Sequence, residues 1–425
     1  MGEVQPGSAP RDPPAAPPGA AFSLRQTFAA LVHYNYRLWF IGQLVSLMGT
    51  WMQTTAQGFL IYQLTHSAAY LGYVGFAAGV PSWLFTLYGG VVADRMSRRT
   101  LLVITQTAMM ALAFFLAALT FTGLVRPWHI VVLAFLLGVA NAIDAPTRQA
   151  FVVEMVDRQD LTNAIALNAT MFNAATAVGP AVAGVTYAVL GPAWCFTVNG
   201  LSFIAVIAAL LLMRLQPTNL ARRTQSIIVE LRAGLTYVTG NTNVLWLMGG
   251  LGAFSLIGLG MTALMPAWAV EILHGDAATN GWLLSARGIG SLIAGLLVAS
   301  LGRFRGKGRW VTLGGFVTAL LMFAFAVTNR LPLSLLTLAG VGWGFMLVIS
   351  LTNALIQLEV PDELRGRVMG IYTLVFFGLM PIGSLLAGVT ATRIGEAPTV
   401  AVGALILLGF AAWVWLRRPE LRRLA

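Results

Sequence analysis

Long apolar runs alternate with short polar or basic segments over most of the chain. Most runs are about 20 residues long, the length that an α-helix needs to cross the hydrocarbon core of a bilayer. The runs cover residues 36–64, 68–93, 101–122, 128–153, 163–189, 193–213, 245–273, 281–301, 310–327, 331–358, 368–392 and 398–416. The pattern therefore predicts an all-α membrane protein with twelve transmembrane helices.

The composition agrees with this prediction and argues against an enzyme. Of 425 residues, 58% are hydrophobic and 10% are charged, whereas soluble proteins carry about 25% charged residues. The single cysteine, Cys195, excludes an internal disulfide and a cysteine-clustered metal site. The spacing of a phosphate-binding loop is absent, so we expect no ATPase activity, no resident cofactor and no metal. The four histidines lie at or beyond the helix ends: His33, His66, His129 and His274.

The net charge of +11 is explained by membrane orientation and not by nucleic-acid binding. Basic residues concentrate on the cytoplasmic side of membrane proteins. If both termini are cytoplasmic, the external loops hold only Arg126, Arg330 and Arg393, and Arg287 lies within a span. All other Arg and Lys residues are then cytoplasmic. This distribution predicts a multi-pass protein of the bacterial inner (plasma) membrane with both termini inside.

The second half of the sequence repeats the first at an offset near 204 residues. The segment 179–184, Gly-Pro-Ala-Val-Ala-Gly, falls on the segment 383–388, Gly-Ser-Leu-Leu-Ala-Gly. The repeat predicts two pseudo-symmetric bundles of six helices each. The predicted divisions are a disordered to amphipathic cytoplasmic tail (1–34), the first bundle (35–214), a cytoplasmic linker with an amphipathic helix (215–243), the second bundle (244–417) and a short tail (418–425).

A basic hairpin at residues 90–99 separates the second and third apolar runs. It carries Gly90, Asp94, Arg95, Arg98 and Arg99. Three arginines in a short loop mark the cytoplasmic side of a membrane protein. One interpretation is that the loop serves only as this topology signal. Farther along, Asp144 and Arg148 are four residues apart and can pair along one helix face. With Asp94 and Arg98 they could form a charge cluster at the cytoplasmic mouth.

The hairpin resembles the loop between helices 2 and 3 of the major facilitator superfamily of transporters, with Ser97 in place of a usual glycine. Segments 35–54, 141–150 and 160–168 are similar to the branch that contains the enterobactin exporter and the macrolide-efflux proteins. The resemblance covers about residues 30–420. It implies the major facilitator fold and a conformational switch in which Asp94 locks the outward-facing state through contacts between the two halves.

A polar stripe follows the first predicted helix. Its members are spaced three or four residues apart and so share one face: Gln43, Ser46, Thr50, Gln53 and Gln57. Placing such a stripe against lipid costs free energy, so it lines a cavity or makes hydrogen bonds to other helices. We take the stripe, together with Asn173, Arg287 and Ser291, as the predicted substrate cavity.

Two further features leave alternatives open. Gly179 and Pro180 resemble the Gly-Pro motif of superfamily antiporters and predict a helix kink, which could equally be a packing feature. Arg287 has three interpretations: it snorkels from a lipid-facing position, pairs with Glu271, or contacts an acidic substrate.

We therefore expect a secondary transporter that exports a small amphipathic molecule of drug or siderophore type, as a monomer, by alternating access and proton antiport. An uncoupled facilitator, or an importer of a small metabolite or lipid, is the first alternative. A non-transporting receptor or partner subunit is the second, although its expected large soluble loop is missing from the sequence. Asp144, Glu271 and Glu359 are the acids considered for proton coupling. Arg148, one turn from Asp144, favours a structural ion pair there.

Overall fold

The computed structural model describes residues 28–215, 227–301 and 306–424, and for residues 86–95, 227–230 and 301 it describes the backbone alone. The predicted N-terminal tail up to residue 27, the first part of the linker and part of the basic loop before residue 306 lie outside the described residues. So do the side chains of Gly90, Asp94 and Arg95.

Long helices account for nearly all of the described chain. They are α1 (Tyr34–Thr65), α2 (Ala68–Arg95), α3 (Arg98–Phe121), α4 (Pro127–Phe151), α5 (Leu161–Leu190), α6 (Pro192–Leu212), α7 (Ile227–Gly240), α8 (Thr242–Ile272), α9 (Ala277–Leu301), α10 (Lys307–Ala326), α11 (Leu331–Glu359), α12 (Asp362–Ile394) and α13 (Glu396–Arg417). Helix α8 contains π-helical turns at Phe254–Leu259 and Trp268–Ile272. Short 3-10 helices occur at Ala29–Val32, Val152–Glu154 and Pro419–Arg423.

Within the described residues, 11 helices are long and apolar enough to cross a membrane. Helix α1 is not among them although it has 32 residues, because its Gln and Thr side chains lower its hydropathy. Many large apolar side chains on the other helices are exposed, as expected for surfaces that contact lipid.

Two of the observed helices start four or more residues earlier than predicted. The prediction placed the start of α9 at residue 281, but Asp276 caps the helix by accepting a hydrogen bond from the backbone N–H of Thr279 at 3.0 Å. Helix α12 begins at Asp362, directly after Pro361, and not at residue 368. Because α9 starts earlier, Arg287 lies deeper in its helix than the sequence suggested.

Helix packing follows the two halves of the sequence. In the first half, α1 packs on α5 and α6, α2 on α4, and α3 on α4 and α6. In the second, α11 packs on α9 and α10, α10 on α13, and α12 on α8. Two pairs, α2 with α12 and α5 with α9, join the halves. The space between these two pairs is where a molecule could pass.

Candidate functional site

The two ends of the helices differ in charge. We call the end with the α2–α3 turn the basic end, since Arg98, Arg99 and Arg148 lie there. The opposite end, with the α1–α2 turn at His66, is called the far end. The contacts between the halves described next run from the far end to mid-helix.

Helices α2 and α12 touch through glycines. A Cβ atom added to Gly388 would lie 2.5 Å from the carbonyl oxygen of Ala68, and one added to Gly72 would lie 2.8 Å from that of Ser384. Both distances are too short for any residue with a side chain. The two helices therefore approach backbone to backbone near the far end.

Helices α5 and α9 make the equivalent contact. A Cβ on Gly281 would lie 2.5 Å from the carbonyl oxygen of Pro180, and one on Gly288 would lie 2.5 Å from that of Thr176. Pro180 has no N–H, so the Thr176 carbonyl has no helical donor four residues on. A Cβ on Gly179 would meet Trp51 of α1 at 2.7 Å. The Gly179–Pro180 pair thus lies in two helix contacts, and α5 stays helical across it.

Among the described residues, one hydrogen bond crosses between the halves at the far end. The Tyr62 hydroxyl of α1 donates to Oε1 of Glu271 in α8 at 2.7 Å. Tyr62 is buried. Sequence reasoning missed this pair, since the two residues are 209 positions apart and no local pattern connects them. The bond adds a polar contact to the closed far end.

The interior is reachable from the basic end. Thr54 is exposed in the middle of α1, one turn from Gly58, whose added Cβ would lie 3.5 Å from Pro266 of the second half. Toward the basic end, Thr170 of α5 is exposed, and a Cβ on Gly366 or Gly370 of α12 would meet nothing within 4 Å. The described residues thus form an interior that is closed at the far end and accessible below it.

The predicted charge cluster is divided into two groups. Asp144 is fully buried, and its Oδ1 accepts hydrogen bonds from Thr105 Oγ1 at 2.8 Å and Gln106 Nε2 at 2.9 Å. Its Oδ2 lies 3.4 Å from Nε of Arg148. Arg98 bonds instead to Glu154 Oε1 at 2.6 Å. Asp144 and Arg98 are therefore not paired, and Thr105, Gln106 and Glu154 were missed by the sequence prediction.

Arg98 and Arg99 also bond to backbone carbonyls. Arg98 donates to the carbonyl oxygen of Ala150 at 3.1 Å, and Arg99 donates to that of Leu211 at 2.6 Å. Ser97 caps α3 by accepting from the backbone N–H of Thr100 at 3.2 Å. The described arginines of the hairpin thus connect α3 to the ends of α4 and α6.

Most of the polar stripe on α1 is packed inside the first half. Gln43, Ser46, Gln53 and Gln57 are between 1% and 5% exposed. Gln53 Oε1 accepts from Asn199 Nδ2 at 2.7 Å, and Gln57 Nε2 donates to the carbonyl oxygen of Ile130 at 3.4 Å. In this structure these four residues do not line an open cavity, because neighbouring helices cover them. Thr50 keeps partial exposure.

Asn173 and Ser291 lie on the helices that join the halves. Asn173 is partly exposed and donates to the carbonyl oxygen of Ala169 in its own helix at 3.0 Å. Ser291 Oγ lies 3.0 Å from the carbonyl oxygen of Gly342 in α11. Asn173 therefore keeps surface toward the interior, whereas the Ser291 hydroxyl serves the α9–α11 contact.

Arg287 lies on the interior face of α9. At about 100° per residue, it points away from four of the five exposed large apolar side chains of the helix, which are Trp282, Ile289, Ile293 and Leu296. The side chain is partly exposed, while its Nε is buried. A partly accessible side chain on this face is open to the space between the two halves.

Among the described residues, the Arg287 guanidinium has no hydrogen-bond or ion-pair partner. Its Nε is buried without a partner. Glu271, the predicted partner in one interpretation, is bonded to Tyr62 instead. An arginine at the centre of a transmembrane helix costs about 2.5–3.5 kcal/mol in insertion experiments, so an uncompensated position there is a functional signal.

A family model described as transmembrane secretion effector matches residues 25–424. The chain belongs to this family of the major facilitator superfamily. It is 22% identical to the staphyloferrin A transporter of Staphylococcus aureus, over 86% of this chain and 92% of the relative. It is 27% identical to the multidrug efflux pump Tap of Mycolicibacterium fortuitum, over 88% and 93%. It is 24% identical to macrolide efflux protein A of Streptococcus pyogenes, over 85% and 90%.

The fold is shared with solved transporter structures. A bacterial homologue of the human lysosomal transporter Spinster, crystallised in an inward-facing and unoccupied conformation, superposes with a TM-score of 0.66 at 12% identity. The match covers 94% of this chain and 97% of that structure. Family and fold together confirm the prediction of a multi-pass membrane transporter and not an enzyme.

Proposed function

We propose that this transporter exports a small amphipathic molecule from the bacterial cytoplasm, by alternating access and in exchange for protons. Twelve helices cross the inner membrane as two six-helix bundles, residues 35–214 and 244–417, joined by the linker at 215–243. The protein acts as a monomer with both termini in the cytoplasm. The named efflux proteins among its relatives favour export over import.

The observation that carries this proposal is the one-sided closure of the interface. The halves touch through Gly72, Gly388, Gly281 and Gly288 between the far end and mid-helix, while the interior below stays accessible. A carrier that alternates must be able to close one end at a time. With the basic end inside, this arrangement supports a state that accepts a cytoplasmic substrate.

Orientation is tested by cysteine labelling in a Cys195→Ala background. Ser97→Cys at the basic end should react in intact cells with membrane-permeant thiol reagents alone. Thr122→Cys, exposed at the far end of α3, is the matched control and should also react with an impermeant reagent. Impermeant labelling at Ser97→Cys would reverse the proposed topology.

The switch is proposed to comprise Gly90, Asp94, Arg95, Arg98, Arg99, Asp144 and Arg148. Asp94 would hold the outward-facing state by joining the halves at the basic end. Asp94→Asn should therefore express normally and lose most transport. Full transport by this variant would reduce the motif to a topology signal.

Transport is tested by accumulation of a compound panel in cells that lack their main efflux pumps. Expression should lower accumulation of some compounds, and the effect should disappear when the proton gradient is collapsed. Proton flux in inside-out vesicles then tests the antiport directly. Export that persists without a gradient would identify an uncoupled facilitator, and increased accumulation would identify an importer.

A further inference from the structure

We propose that Arg287 binds an anionic group of the transported molecule, so that the cavity selects organic anions. The inference deepens the proposed export function and rests on it. It follows from where the guanidinium lies, from what surrounds it and from the distribution of acids in the chain.

The position of Arg287 excludes a role at the membrane surface. Helix α9 has 25 residues, and Arg287 is about 15 Å from its start. This is half of a hydrocarbon core of about 30 Å, so the side chain is too far from either interface to snorkel. Its face is opposite the lipid-facing side chains. The charge therefore acts inside the cavity.

Among the described residues, no acid forms an ion pair with Arg287. Helices α5 and α11 pack on either side of α9. Helices α1, α5 and α9 contain no acid, and α11 contains only Glu359 at its basic end. Asp144, inside the first half, is engaged by its own partners. A buried cation that its own protein leaves unpaired is well suited to an anion that arrives from solution.

Asn280 provides a second observation on the same helix face. It lies seven residues before Arg287, which is about two turns along α9. Its Nδ2 and Oδ1 atoms are both buried without partners. The interior face of α9 thus carries two side chains whose polar atoms lack partners in the protein alone. Arg287 is the one of the two that keeps accessible surface.

The guanidinium geometry indicates the class of ligand. Its planar N–H donors match a carboxylate with two parallel hydrogen bonds. Beside Arg287, α9 meets the backbone of Thr176 in α5 and of Ala339 in α11. The expected ligand is an amphipathic carboxylic acid, and a cation of the same size should be disfavoured by charge repulsion.

The test measures binding of matched fluorescent probes to the purified full-length protein in phosphatidylcholine nanodiscs. The probes are dansyl-leucine, its methyl ester and dansylcadaverine, which are an anion, a neutral molecule and a cation. The wild type should bind the acid at least about tenfold more tightly than the ester. Arg287→Gln should abolish this preference while ester binding changes less than about twofold. Arg287→Lys should keep part of the preference.

Arg330→Gln is the matched control. It removes one positive charge at an exposed far-end position and should leave the preference unchanged. A wild type that binds acid and ester equally, or that binds none of the probes, overturns the proposal. So does a preference that survives Arg287→Gln.

Failure here is distinguishable from failure of the export proposal. If the accumulation panel shows export of neutral or cationic compounds, equal in wild type and Arg287→Gln, the result supports the export proposal and contradicts anion selection. If dansyl-leucine binding depends on Arg287 but no panel compound is exported, the result supports the anion site and contradicts the export proposal.

Discussion

Two buried charges, Asp144 in the first half and Arg287 in the second, have opposite environments. Asp144 has hydrogen-bond donors from α3 on Oδ1, and its Oδ2, which is buried without a hydrogen bond, lies 3.4 Å from Nε of Arg148 in an ion pair. Arg287 has no partner among the described residues, and its Nε is buried. Both charges are expensive to hold in a membrane. The protein itself compensates the charge of Asp144, whereas the described residues provide no partner for the charge of Arg287.

The difference separates a structural charge from a binding charge. Removing one partner of a buried pair leaves the other uncompensated, which costs about 3–5 kcal/mol. Removing a charge that had no partner removes its desolvation cost and leaves no other buried charge unpaired. The two sites should therefore respond to substitution with opposite signs.

The largest effect is expected at Asp144. Asp144→Ala removes the acceptor of Thr105 and Gln106 and the partner of Arg148, so the unfolding free energy should fall by about 3 kcal/mol. Thermal unfolding of the purified protein in detergent measures the change. Asp157→Ala removes an exposed acid after the end of α4 and should have no measurable effect. An Asp144→Ala protein as stable as the wild type would mean that the pairing contributes nothing.

Arg287→Met should change stability in the opposite direction. The substitution keeps an extended side chain and removes the unpaired charge, so we expect a gain of about 1–2 kcal/mol in ligand-free protein. Arg148→Met is the matched control, because it makes the same change beside Asp144 and should lose about 3 kcal/mol. Equal losses in both variants would show that Arg287 has a structural partner and would end the comparison.

The sequence predicted where the helices lie, but it did not predict which residues of other helices their polar side chains contact. Apolar runs reveal spans because the bilayer fixes their length. The early start of α9 was missed although Asp276 and Thr279 form a recognisable cap. The earlier start places Arg287 near the middle of α9 and not near its end, which argues against the snorkelling interpretation.

Periodicity shows which residues share a face and says nothing about what the face meets. The stripe on α1 was correctly placed on one face, but Gln53 meets Asn199, 146 positions away. Thr54, which is accessible, was overlooked although it lies one turn after Thr50 on the same helix face. Long-range partners such as Tyr62 and Glu271 need the tertiary structure.

A smaller effect is expected at Tyr62. Tyr62→Phe removes one hydrogen bond between the halves, worth about 1 kcal/mol, so the population with separated far ends should rise about fivefold. Spin labels on cysteines at Thr122 and Arg330, in a Cys195→Ala background, measure the distance between the halves. Tyr73→Phe, an exposed tyrosine of α2, should leave the distribution unchanged. An unchanged distribution in Tyr62→Phe would show that the glycine contacts alone close this end.

The smallest effect is expected at Glu154. This substitution tests whether the Arg98–Glu154 pair contributes little to stability because it is partly exposed. The Arg98 side chain is 34% exposed and that of Glu154 is 15% exposed, and such partly exposed pairs contribute about 0–1 kcal/mol. In Glu154→Gln the amide oxygen still accepts from Arg98, so stability should fall by less than about 1 kcal/mol. High salt should shrink the difference further. Unfolding of wild type and variant at low and high salt provides the measurement.

A loss as large as that of Asp144→Ala would mean that Arg98, Glu154, Asp144 and Arg148 act as one coupled cluster, as the sequence first suggested. A loss below 1 kcal/mol would keep Asp144 and Arg148 as the buried structural pair against which Arg287 is compared.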